Sequence, residues 1–315
     1  MNQELWSQTL IPNSRFLNLN NPMDIEKLKN LLRHHGLRPN FTYGQNFLID
    51  DIVLQDIVDA AQITSADRVL EIGPGVGNLT ELLCQRAGFV LSIEKDPKFF
   101  PILKAVKKEH RDNFRYEIAD ALEFDYVKAL SSSVPIHRRP DTLINGHATS
   151  YKVVANIPYF ITGKILQMLM TAKIKPTSIV ILTQKEVAQN IVAKLGHLSL
   201  LAISVQLFGE PKIVQIVPAK SFHPAPKVDS AIVRIDIFPK PKYVISDEKK
   251  FFKILKACFA GKRKQIHNTL VNNLGLEKNQ VADILSSLKI NPAVRPQELS
   301  IEQWVELTDK IMASF

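Results

Sequence analysis

The sequence predicts an α/β protein: a mostly parallel sheet wound with helices, closed at one edge by an antiparallel hairpin and followed by a small all-α unit. Three observations carry that prediction. From residue 68 onward, short apolar runs alternate with longer amphipathic ones, the pattern of strands joined by crossover helices. The first of these runs, Val69-Leu70-Glu71-Ile72, enters a glycine-rich turn, Gly73-Pro74-Gly75-Val76-Gly77. Beyond Phe238-Pro239-Lys240-Pro241-Lys242-Tyr243, a segment stiffened by its prolines, every apolar pattern is helical.

Element by element, residues 1–23 hold Asn and Pro without periodicity and read as a loose arm. Ile25, Leu28, Leu31 and Leu32 then recur at helical spacing, with Gly36 where that helix stops. Asp50 caps a second helix through Ile52, Val53, Ile57, Val58 and Ala61. Strands are expected at 68–72, 90–94, 114–118, 152–155, 178–183, 204–208, 213–217 and 230–237, the last two with no helix between them and therefore a hairpin. Residues 131–150, rich in Ser, Pro, Gly and basic side chains, read as a flexible surface insertion. Helices follow at 247–260, 265–273, 278–288 and 301–312, the last capped by Ser300. The expected division is the arm at 1–23, the sheet domain at 24–241 and a helical domain at 242–315.

Composition limits the function classes. At 45% hydrophobic and 23% charged residues, the chain is neither collagen-like, disordered nor stapled by disulfides. Cys84 and Cys258 are the only cysteines, which points to a reducing, cytoplasmic setting. No histidine or cysteine spacing suggests a metal site, and no apolar run approaches the ~20 residues of a membrane helix. The net charge of +9 favours a polyanionic partner, nucleic acid before membrane.

The glycine-rich turn forms one wall of a nucleotide crevice, and Glu94, ending the second strand, suits ribose hydroxyls. Dinucleotide sites use Gly-x-Gly-x-x-Gly; here the third glycine comes one residue early and a Glu precedes the turn. This pattern resembles motif I of S-adenosylmethionine-dependent methyltransferases, built on a Rossmann-like domain. Asp120 at the end of the third strand then suits the exocyclic amine of the cofactor's adenine. The fourth strand ends in Asn156-Ile157-Pro158-Tyr159. There an Asn oxygen and a following backbone carbonyl accept from an aromatic amine, Pro158 fixes the turn and Tyr159 stacks on the base.

With these motifs in place the chain closely resembles the ribosomal RNA adenine N6,N6-dimethyltransferase family. The resemblance runs from about residue 37 to 307. It adds Gly44-Gln45-Asn46-Phe47-Leu48, Asp96, the run Phe222-His223-Pro224-Ala225-Pro226-Lys227-Val228-Asp229-Ser230 and the segment from Asn291 to Leu299. It implies that Asn46, Leu48, Gly73, Gly75, Glu94, Asp120 and Asn156 line the S-adenosylmethionine site. It also implies that Asn156, Pro158, Tyr159 and Phe222 serve the transfer, with Tyr159 and Phe222 sandwiching the target adenine. The implied substrate is a pair of adjacent adenines near the 3′ end of 16S ribosomal RNA, in the small ribosomal subunit or its precursor, and the implied state is a monomer. Ile157 replaces the Leu usual in the family, the 131–150 insertion is additional, and the segment from Gly196 to Leu200 is shorter.

Two alternatives share the fold. A large-subunit methyltransferase of the macrolide-resistance type is disfavoured by the Phe222–Ser230 run and the C-terminal helices. A ribosome-assembly RNA-binding factor without catalysis is disfavoured by the intact Asn156, Pro158 and Tyr159. The basic charge concentrates between Lys240 and Lys264, with nine Lys or Arg against two acids. Lys262, Arg263 and Lys264, after Gly261 at a helix end, are the expected RNA contacts.

Overall fold

A computed structural model describes residues 23–40, 44–132, 143–144, 147–148, 150–158 and 161–314. The N-terminal arm up to residue 22, most of the 131–150 insertion and Tyr159 lie outside the described residues.

The chain opens with α1 (Ile25–His34), the two-residue strand β1 (Phe47–Leu48) and α2 (Asp51–Ala61). Asp24 and Asp50 cap the two helices by accepting the N–H of Lys27 and Val53. Then come β2 (Arg68–Ile72), α3 (Asn78–Arg86), β3 (Phe89–Glu94), α4 (Phe100–Glu109), β4 (Phe114–Ile118) and α5 (Tyr126–Ser132). Two short strands, β5 (Leu143–Ile144) and β6 (His147–Ala148), pair with each other. The main alternation resumes with β7 (Lys152–Asn156), α6 (Thr162–Met170), β8 (Ser178–Gln184), α7 (Lys185–Ile191) and α8 (Leu200–Gln206). It closes with β9 (Gly209–Val217), β10 (Phe222–His223) and β11 (Ser230–Ile237).

The seven-stranded sheet runs β4-β3-β2-β7-β8-β11-β9. Its first five strands are parallel, and β11 pairs antiparallel with both β8 and β9. The edge hairpin expected from 213–217 and 230–237 is therefore present, extended on its first arm. Strand order reverses between β2 and β7, so the carboxyl ends of β2, β3, β4 and β7 open onto one crevice. Side chains alternate between two apolar layers: Leu70, Ile72, Val153, Ala155, Ile179 and Ile181 meet α5 and α6 on one face. Val69, Val154, Val180 and Leu182 meet α2 and α3 on the other. Both faces are covered, which is why these strands read as continuous apolar runs.

The strand expected at 204–208 is instead α8. Ser199 accepts the N–H of Ala202 and starts the helix. Val205 packs with the sheet layer, while Ala202, Ile203 and Leu207 pack with the C-terminal helices. A short helix buried on two sides has no polar stripe, so its sequence is indistinguishable from a buried strand. The C-terminal helices are α9 (Glu248–Phe259), α10 (Ile266–Leu274), α11 (Lys278–Ser287) and α12 (Ile301–Ala313), assembled around Trp304, Phe251 and Leu307. Asp247 and Ser300 cap α9 and α12, the second in a reciprocal box with Gln303.

Candidate functional site

The glycine turn after β2 holds three left-handed glycines at alternate positions, Gly73 at φ +75, Gly75 at φ +52 and Gly77 at φ +84. L side chains rarely adopt that region, and a Cβ on Gly73 would project toward the carbonyl of Asn156 at 3.5 Å, across the crevice. Gly75 donates its N–H to Oε2 of Glu94 at 3.0 Å, and Asp96 donates its N–H to Oε1 at 2.9 Å. Glu94 is 7% exposed. Burial pushes its carboxyl above the usual carboxylate range, and these N–H donors act against that rise.

Behind Glu94 lies a polar brace. Asp96 accepts from Gln45 Nε2 at 3.2 Å, and Gln45 Oε1 accepts the N–H of Asn40 at 2.9 Å. The loop carrying Asn46 is thereby tied to the end of β3. Asn46 itself donates to the carbonyl of Gly44 at 3.2 Å. The next residues form β1, whose partner is β10, with Leu48 opposite Phe222 and Phe47 opposite His223.

On the far wall Asp120 Oδ1 accepts the N–H of Leu122 at 3.0 Å, and Oδ2 accepts from Lys95 Nζ at 2.7 Å. Lys95 holds the Asp120 carboxyl below its ordinary range. Beneath the turn, fully buried Glu71 accepts from the hydroxyls of Thr80 and Ser92, joining β2 to α3 and β3. Burial pushes its carboxyl up to about 7.

One cleft gathers Asn46, Leu48, Gly73 and Gly75 with Glu94, Asp120, Asn156 and Pro158. Its walls also carry Ala119, Leu122 and Ile161, apolar surface beside two carboxylates. Acids for a diol and an amine, apolar plates for a base and a turn whose glycines present bare backbone suit an adenosine. Phe222 is placed otherwise: it is 3% exposed, packed with Leu48 in the α2–α3 layer, and does not line the cleft. Stacking on a base requires an open ring face, and this ring is buried in that apolar layer. Lys262, Arg263 and Lys264 are exposed in the turn between α9 and α10, with no acidic side chain at ion-pair distance among the described residues. Among the described residues no cluster of His, Cys, Asp and Glu suits a metal ion, and no helix is long and apolar enough to cross a membrane.

Sequence reasoning missed Asn78, Lys95 and the brace role of Gln45. Asn78 and Lys95 carry no local signal, because their partners, Leu48 and Asp120, are 30 and 25 residues away.

A profile of the ribosomal RNA adenine dimethylase family matches residues 36–312. The ribosomal RNA small subunit methyltransferase A of Dehalococcoides mccartyi (strain CBDB1) is 39% identical over 289 residues, covering 91% of this chain and 93% of that protein. Its namesake from Streptococcus thermophilus is 37% identical over 293 residues, covering 91% and 97%. Among solved structures, a dimethyladenosine transferase from Plasmodium falciparum superposes with a TM-score of 0.65 at 26% identity, covering 81% of this chain and 93% of that one. The 23S rRNA methyltransferase ErmE gives 0.62 at 26%, covering 85% and 100%. A crevice of this chemistry at the reversal of the sheet, and a match spanning nearly the whole described chain, place the protein in the ribosomal RNA adenine dimethylase family.

Proposed function

We propose that the chain transfers methyl groups from S-adenosylmethionine to N6 of two adjacent adenines near the 3′ end of small-subunit (16S) ribosomal RNA, giving N6,N6-dimethyladenosine. The observation that carries this reading is the convergence of Glu94, Asp120 and Asn156, from the ends of three parallel strands, on one cleft beneath the glycine turn. Bound there, S-adenosylmethionine supplies a methyl group already activated on a sulfonium.

Each oxygen of Glu94 already takes one backbone N–H, which fixes the carboxylate and leaves its remaining lone pairs for the two ribose hydroxyls. Asp120 faces the adenine amine, sharing its carboxylate with Lys95. Asn46 and Leu48 close the opposite wall, and Gly73 and Gly75 allow the chain to approach the ligand closely. Asn156 orients the target amine with its side-chain oxygen, and Pro158 holds the following turn rigid. Tyr159 stacks on the extruded adenine. Phe222 is the residue the family resemblance offers for the other face, with its ring buried beside Leu48 in this structure. Desolvation and alignment supply most of the acceleration, and the amine proton leaves to solvent after attack, so no strong base is needed.

The sheet domain at 24–241 performs the transfer and the helical domain at 242–315 contacts RNA through Lys262, Arg263 and Lys264. The net charge of +9 supports a ribosomal partner, the small subunit or its precursor, with the chain acting in the cytoplasm as a monomer during ribosome biogenesis. The small-subunit reading is favoured over the large-subunit one by the relatives named for the small subunit at 37–39% identity, against 26% for ErmE.

The test supplies labelled S-adenosylmethionine with unmodified small subunits, large subunits or free RNA, then maps the methylated nucleotides. Two dimethylated adjacent adenines in the small subunit are expected. Label confined to large-subunit RNA, or none at all, overturns the reading.

A further inference from the structure

The segment that carries Pro158 and Tyr159 leaves the sheet at Asn156 and ends at Thr162, the first residue of α6. Asn156 lies opposite Leu182 in the parallel pairing of β7 with β8. The hydroxyl of Thr162 shares a hydrogen bond with the hydroxyl of Thr183 at 3.2 Å. Both ends of the segment are therefore tied to adjacent residues of one strand, Leu182 and Thr183. Between them, Ile161 donates its N–H to the carbonyl of Pro158 at 3.2 Å.

Packing alone does not account for the threonine pair. Thr162 is 1% exposed and Thr183 is fully buried, on the sheet face where Ile181 and Ala231 meet α6. Burying a hydroxyl is costly unless it is bonded, and these two share a single hydrogen bond between side chains. Valines of almost the same shape would fill that space without the cost. What the hydroxyls add is direction, because a hydrogen bond holds at one separation and angle while apolar contact is non-directional.

We infer that Thr162 and Thr183 are positioning residues for the methyl transfer: they fix the start of α6 on β8 and so hold Asn156 and Pro158 where the target amine meets the sulfonium. The inference rests on the reading given under Proposed function. Neither threonine lines the cleft, so both act through Asn156 and Pro158, which do.

The test pairs turnover with stability. Thr162→Val and Thr183→Val are made singly and together, and labelled S-adenosylmethionine is supplied with unmodified small subunits, both saturating. Each single variant orphans one hydroxyl and is expected to lose stability as well as rate. The double variant removes both hydroxyls, so its urea midpoint should return close to that of wild type while its kcat stays lower by on the order of 10- to 100-fold. Its Kd for S-adenosylmethionine, by calorimetry, should stay within a small factor of wild type, and Thr183→Ser, which keeps the hydroxyl, should keep the rate. A double variant with wild-type kcat, or a serine variant as slow as the double one, overturns the assignment and leaves the proposed function standing. Should the double variant not fold, Thr183→Ala is read against Thr183→Ser in the same assays. Wild type that transfers no methyl to small subunits brings down the proposed function and this assignment with it.

Discussion

The backbone N–H of Gly75 meets Oε2 of Glu94 at 3.0 Å, so the glycine turn of one strand and the acid ending the next are a single unit. Glu94→Gln should damage both. An amide has only one oxygen, and its NH2 must then confront the N–H of either Gly75 or Asp96, donor against donor. Affinity for S-adenosylmethionine, measured by calorimetry, is expected to fall by on the order of 10-fold or more. Glu94→Ala should likewise weaken the cofactor, and unchanged affinity in both variants would remove Glu94 from the ribose.

Glu71 gives the protein a predictable pH response. Burial raises its carboxyl from 4.5 to about 7, so between those pH values the folded chain holds a proton that the unfolded chain has released. Stability from this group therefore falls as pH rises through that window. Glu71→Gln keeps an oxygen for Thr80 and Ser92 but cannot ionise. Urea unfolding at pH 5 and pH 8 should show wild type losing more stability between the two than the variant does; parallel losses would refute the account.

Asn156→Ala addresses the transfer step. Its oxygen is assigned to the target amine, a contact needed most in the transition state, so methyl transfer should drop by orders of magnitude while cofactor affinity changes little. Near-normal turnover on small subunits would sink the assignment.

Replacing Lys262, Arg263 and Lys264 together with Gln should weaken subunit binding and leave cofactor affinity alone. Each true phosphate contact contributes roughly 0.7 to 0.9 of a unit to the log–log salt slope, about 2 to 3 units for three. If these side chains serve only the end of α9, the slope stays as it was, and folding stability shifts by about 0.3–1 kcal/mol per charge at most.

What the sequence disclosed depended on how local the cause was. The glycine turn, Glu94, Asp120 and Asn156 sit at the ends of apolar runs, and the linear alternation of strand and helix already places them at one edge. Asp50 and Ser300 cap their helices because a cap is read from its immediate neighbours. The burial of Phe222 was hidden, since it comes from packing with Leu48 and the α2–α3 layer, far away in sequence, and no local periodicity records such a contact. Asn78 was overlooked for the same reason. Helix α8 was misread because two cores claim its opposite sides, which removes the polar stripe that marks most helices.

The clasp between β1 and β10 also sets an order of events during synthesis. Besides the two paired residues, Ile49 donates its N–H to the carbonyl of Ser221 at 2.9 Å, and the hydroxyl of Ser221 donates to Asp50 at 2.8 Å. Strand β2 and the glycine turn can find β3 soon after they emerge, but the wall bearing Asn46 and Leu48 waits for a segment made some 170 residues later. A nascent chain halted before residue 221 carries the turn and the acids without their enclosing wall. Cofactor retention by arrested chains of increasing length should therefore rise as a late step, once residues 221–223 have cleared the tunnel.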